Sequence, residues 1–102
     1  MKVEVLFFDG CPSHERLLPS LRDLAAEHGA ELEQRHIRTL EEAEEACFLG
    51  SPSVRINGMD VEPGAEARTD FGLKCRLYRF SGGQSGVPSR EWIEHALREA
   101  AA

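Results

Sequence analysis

The chain has 102 residues, with 18 acidic against 12 basic side chains for a formal net charge of −6, four His, three Cys and 41% hydrophobic residues, enough for a single domain over 1–102 and no second one. With 29% charged residues and no apolar run near the roughly 20 residues that cross a bilayer, neither a membrane-spanning nor a disordered chain fits. The acidic balance excludes a protein whose main work is neutralising phosphates, so no nucleic-acid partner is expected.

From Met1 to Phe8 there is one Lys, a short apolar stretch and no small-residue cleavage site, which reads as folded structure and predicts a cytoplasmic protein. Residues 2–8 combine β-branched and aromatic residues, with Lys2/Val3/Glu4/Val5 alternating before Leu6-Phe7-Phe8, as in a strand whose far end is covered on both faces. Asp9-Gly10 breaks it. From Pro12 to His28 the positions Leu17, Leu18, Leu21, Leu24 and Ala25 recur at helical steps, and Gly29 is the stop. Residues 31–37 are expected to form a second strand. Thr39 and Glu42 match a capping box that opens a second helix, whose apolar face is Leu40, Ala43, Ala46 and Cys47 and which ends at Gly50. Cys47 reads there as a buried core thiol.

Val54 and Ile56 alternate with Arg55, Asn57-Gly58 supplies two positive-φ residues, and Val61 returns: a β-hairpin. Residues 62–86 form an insert in which 62–70 is small and polar, 73–80 is a strand or an ordered loop, and 81–86 is flexible. A last helix is capped by Ser89 and carries Trp92, Ile93, Ala96 and Leu97 as its stripe. The order β-α-β-α-β-β-insert-α predicts an α/β fold, a parallel pair joined to an antiparallel hairpin and covered by helices.

Three Cys, at 11, 47 and 75, make neither a disulfide framework nor a Cys-x-x-Cys zinc site. Cys11 follows the first strand and precedes Pro12, a residue favoured at the first helical position, so Cys11 is the predicted N-cap. A sulfur there faces the free N–H groups of Ser13 and His14 and the positive end of the helix dipole, which favour thiolate over thiol. His14, one turn along, is placed to hydrogen-bond the sulfur or to favour its thiolate when protonated. Cys11 is the candidate nucleophile. The alternative is a structural Cys beside an exposed His.

The stretch Phe8-Asp9-Gly10-Cys11-Pro12-Ser13-His14, followed by Pro19 eight residues after the Cys, resembles the redox turn and first helix of the thioredoxin-like superfamily. A Pro inside a helix costs about 3 kcal/mol, and the resemblance supplies a reason for it. Ser51-Pro52-Ser53-Val54 is similar to the family's cis-proline loop. The resemblance covers the chain outside 62–86 and implies a central mixed sheet of four strands, or five if the insert adds one, flanked by three helices. It also implies a Pro52 that packs against Cys11 beside Pro12, and substrate held by main-chain bonds from Ser51. The family's Cys-x-x-Cys is here Cys11-Pro12-Ser13-His14, so a two-thiol cycle within that turn is impossible. Cys75 is the other candidate catalytic thiol: a disulfide to Cys11 needs Cα atoms within about 7 Å, and the bland reading is a half-buried strand residue. Lys74 and Arg76 beside it are expected to favour its thiolate.

Three functions compete. The first is a thiol–disulfide oxidoreductase acting on a protein disulfide or small thiol through Cys11, resolved by glutathione as co-substrate or by Cys75, with no cofactor. The second is a soft-metal module for mercury, copper or arsenic with Cys11 and Cys75 as linear or trigonal ligands and His14 or a water completing the site; it resembles alkylmercury-lyase-like proteins, with Asp9 or Asp70 as the carboxylate. The third is a redox-inactive interaction domain.

Overall fold

The computed structural model describes residues 1–102. Strand β1 (Lys2–Phe7) leads into helix α1 (Pro12–Glu27) and back to β2 (Glu31–His36). Helix α2 (Leu40–Glu45) precedes the hairpin β3 (Ser53–Ile56) and β4 (Met59–Asp60). A 3₁₀ turn (Ala65–Ala67), a second hairpin β5 (Tyr78–Phe80) and β6 (Gly83–Ser85), and helix α3 (Arg90–Ala101) complete the α/β chain.

The main sheet has the order β2-β1-β3-β4. Strand β1 runs parallel to β2, from Lys2 opposite Glu31 to Phe7 opposite His36, and antiparallel to β3, from Val3 opposite Ile56 to Leu6 opposite Ser53. Because side chains alternate along a strand, β1 feeds two cores. Val3 and Val5 join Leu17, Leu21 and Leu24 of α1, Val54 and Ile56 of β3, and Ile93 and Leu97 of α3. Leu6, on the other face, joins Ile37, Ala43, Ala46 and Phe48. One face is thus covered by α1 and α3 and the other by α2, which explains why 2–7 reads apolar at its far end.

The helix ends follow local rules. Gly29 at φ 65° lies one residue past the His28 cap of α1, where its N–H bonds Ala26 at 3.2 Å and that of Ala30 bonds Ala25 at 2.8 Å. The same motif ends α2 earlier than expected. The Cys47 N–H reaches Glu44 at 3.2 Å and the Phe48 N–H reaches Ala43 at 2.8 Å, which closes the helix at Glu45 rather than Gly50. Arg55 adds to this stop by donating to the carbonyls of Ala46 at 2.5 Å and Cys47 at 3.1 Å. Cys47 therefore carries φ 55° and is exposed, not a core thiol, and Phe48 enters the core in its place. Leu40, expected on that face, is 55% exposed.

Asn57 at φ 50° and Gly58 at φ 85° form the tight turn of the β3–β4 hairpin. Residues 81–86, expected to be flexible, are instead the turn and return strand of the β5–β6 hairpin, with Arg79 opposite Gln84 and Phe80 opposite Gly83. Aromatic contact holds it. Tyr78 and Phe80 meet Trp92 of α3 edge-on at 6.2 and 6.1 Å, a contact that propensity alone does not reveal. This hairpin is a separate sheet, so the main sheet has four strands and no fifth.

Candidate functional site

Cys11 is the N-cap of α1, with φ −91° and ψ 103° and Pro12 beginning the helix, and it retains 4% of its surface exposed. Its sulfur accepts no hydrogen bond from the first turn, contrary to expectation. A thiol sulfur is a weak acceptor, and Pro12 already fixes the helix start, so a side-chain cap is not needed to set it.

His14 is also placed differently. Its Nε2 pairs with Gln34 Oε1 at 3.1 Å, and its ring stacks on Phe7 at 3.8 Å with 2° between the planes. Phe7 lies beside its β2 neighbour His36 as well, at 5.1 Å. The imidazole is thereby drawn onto the sheet rather than onto the sulfur. Burial pushes the His14 pKa down, against the Gln34 amide and the Glu15 carboxylate, which pull it up. A neutral ring is favoured, so His14 is no cationic partner for Cys11.

The sign of the pH effect follows. The unfolded imidazole takes up a proton near its ordinary value of 6.5 and the folded one only at lower pH, so the unfolded state binds more protons in between. Stability is therefore expected to be fully present above about pH 6.5 and to fall as pH drops through the folded value. In His14→Phe, which keeps the stack, urea midpoints between about pH 7 and pH 5 should vary less than in the parent.

The turn that carries Cys11 is tied to the start of β3. The Ser51–Pro52 peptide bond is cis, and the Phe8 N–H donates to Ser51 Oγ at 3.3 Å. Ser51 is 1% exposed, and its main chain is already engaged: its N–H donates to the Lys74 carbonyl at 2.8 Å and its carbonyl accepts from the Arg76 N–H at 2.9 Å. Cys75 is thus the residue paired with Ser51 in an isolated parallel bridge. Two residues before Cys75, Leu73 lines a small cavity with Phe8 and Asp9 of the Cys11 turn. Cys75 itself is exposed.

Gly50 makes the close approach of this segment possible. It has φ 123°, and a Cβ there would stand 3.0 Å from both the Arg76 Cβ and the Lys74 carbonyl oxygen. Gly50→Ala is expected to lose about 1–3 kcal/mol from backbone strain alone, read as a lower denaturation midpoint. The displaced segment should add to that loss.

On its other side the segment is held by Arg76, whose side chain is 0% exposed. Its guanidinium donates to Asp60 through two bonds of 2.6 and 2.9 Å, to Glu62 Oε1 at 2.7 Å and to Ser53 Oγ at 2.9 Å, and lies 4.4 Å from the Tyr78 ring centre. Burial opposes the Arg76 charge, but Asp60, Tyr78 and Glu62 outweigh it and raise its pKa. Tyr78, raised above its ordinary value mainly by burial, donates its hydroxyl to the Pro52 carbonyl at 2.6 Å. Asp70 takes Arg68 at 2.7 Å and Lys74 at 2.8 Å, and these cations hold its carboxyl well below the usual range.

Arg76 and Lys74, the cations flanking Cys75, are each paired with carboxylates: Arg76 with Asp60 and Glu62, Lys74 with Asp70. Neither Arg76 nor its carboxylates stand out in the sequence. Asp60 and Glu62 are 16 and 14 residues away, and no local pattern signals a buried ion pair at that range.

No three His, Cys, Asp or Glu side chains come close enough together to hold an ion; of the two carboxylates considered, Asp9 pairs with His36 at 3.0 Å and Asp70 is committed to its cations. No helix is long and apolar enough to cross a membrane. Compared with family models, characterised proteins and solved structures, the chain gives no match.

Proposed function

We propose that this chain has a thioredoxin-like fold and acts as a thiol–disulfide oxidoreductase through Cys11. The reading is carried by one observation: the only buried cysteine caps the helix after β1, and the loop to which its turn is bonded is paired with a second cysteine-bearing segment. Pro12 fixes the helix start and so sets the Cys11 sulfur at the N-terminus of α1, where the exchange is placed.

In the proposed cycle the Cys11 thiolate attacks one sulfur of a disulfide. A Cys11–substrate mixed disulfide forms, and the other substrate sulfur leaves as a thiolate that takes a proton from water. The Cys75 thiolate then attacks Cys11, giving a Cys11–Cys75 disulfide and releasing the second substrate thiol. Two glutathione molecules, oxidised to glutathione disulfide, return both cysteines to thiols. Pro12 lies exposed next to Cys11, the buried Ser51 and Pro52 support the turn from within, and Asp60, Glu62 and Arg76 hold Cys75 in register.

The test is glutathione-coupled turnover of bis(2-hydroxyethyl) disulfide. Wild type should turn over and Cys11→Ser should not, while Cys75→Ser should accumulate a Cys11–glutathione adduct seen by intact mass. Equal rates for wild type and Cys11→Ser would refute the reading.

A further inference from the structure

We infer that the site takes low-molecular-weight disulfides and excludes extended polypeptides, because the chain has filled its own strand-addition position beside Cys11. The inference rests on the proposed function and adds the substrate class.

An extended peptide gains affinity at a sheet margin only through unpaired main-chain groups. The extended residue bonded to the Cys11 turn is Ser51, whose hydroxyl receives the Phe8 N–H. Both of its main-chain groups are spent on Lys74 and Arg76, at 2.8 and 2.9 Å. A polypeptide arriving there has to displace 74–76 or pair with the far side of that segment, one strand spacing of about 4.8 Å further from Ser51.

Displacement is opposed from two directions. Arg76 is locked beneath the segment by Asp60, Glu62 and Ser53, and the segment lies so close over Gly50 that a methyl group there would stand 3.0 Å from its atoms and push it outward. Access to the sulfur is narrow as well. Cys11 is 4% exposed, and the far loop closes on the same helical turn, where a Cβ on Gly86 would stand 2.5 Å from Ser13 Oγ. A small disulfide can present one sulfur end-on through such an opening. A folded or extended chain cannot do so without main-chain partners to hold it.

The experiment compares bis(2-hydroxyethyl) disulfide with insulin as substrates of the wild-type protein, using glutathione and its reductase. Turnover of the small disulfide with no insulin reduction above the uncatalysed rate is the expected result. Comparable kcat/KM for both would overturn the exclusion and leave the proposed function standing, whereas failure on both substrates removes the proposed function itself. Arg76→Met frees the main chain of Ser51, so insulin reduction should appear; because Arg76 also holds Cys75, the readout is the insulin rate relative to the small-disulfide rate of the same variant. A folded Arg76→Met protein that still ignores insulin would contradict the assigned cause. Should that variant not fold, amide exchange in the wild type decides the cause: Ser51 and Arg76 N–H must be protected, and exchange at the open-chain rate refutes a fixed occupant.

Discussion

Arg76→Met should lower the unfolding free energy by about 3–5 kcal/mol, the usual cost of removing one partner from a buried ion pair. The reason is what stays behind. Asp60 and Glu62 have side chains only 13% and 19% exposed, and without Arg76 the Asp60 carboxylate keeps no cation at hydrogen-bonding distance. Glu62 retains Arg68 at 3.1 Å, so the larger part of the loss is assigned to Asp60.

The wild-type arrangement has its own cost. The Arg76 Nε is buried with no partner, a defect of about 1–3 kcal/mol, which the bonds to Asp60, Glu62 and Ser53 offset. Neutralising the orphan with Asp60→Asn in the Arg76→Met background should recover part of the stability. Urea midpoints of the single and double variants check this. Additive losses would show that the two residues are not coupled.

Cys11→Ser should reduce disulfide exchange by about a thousandfold or more, since a serine hydroxyl is not ionised near neutral pH and forms no disulfide. Stability should change little by comparison, because the swap is nearly isosteric and the sulfur accepts no capping bond. Rates of small-disulfide turnover and thermal melts on the same samples separate the two effects. Cys47→Ser should leave turnover unchanged: Cys47 is exposed beyond the end of α2, with no link to Ser51 or the Cys11 turn.

The elements most legible in the sequence were those set by local rules. The β1-α1-β2 unit, the Asn57-Gly58 hairpin and the Ser89 cap each announce themselves within a few residues, and the Ser89 hydroxyl does accept the Trp92 N–H at 3.2 Å. Cys11 as N-cap belongs to this class. Sequence and structure part where tertiary contact decides the outcome. Helix α2 is cut short by Arg55 reaching over from β3 and by Phe48 replacing Cys47 in the core, and glycine-rich 81–86 returns as the partner strand of 78–80, whose rings meet Trp92. His14 lies at the expected place in the helix, but Phe7 and Gln34, both on the sheet, claim its ring. The bridge from Ser51 to Cys75 spans 24 residues and is made by main chain, which no side-chain pattern discloses.

The most direct measurement is intact mass and peptide mapping after mild diamide oxidation at low protein concentration, with wild type beside Cys75→Ser. The proposed mechanism predicts one intrachain bridge between Cys11 and Cys75, with Cys47 still reduced, and no bridge in Cys75→Ser. A wild-type protein in which Cys75 stays reduced, or pairs with Cys47 while Cys11 is untouched, would contradict it.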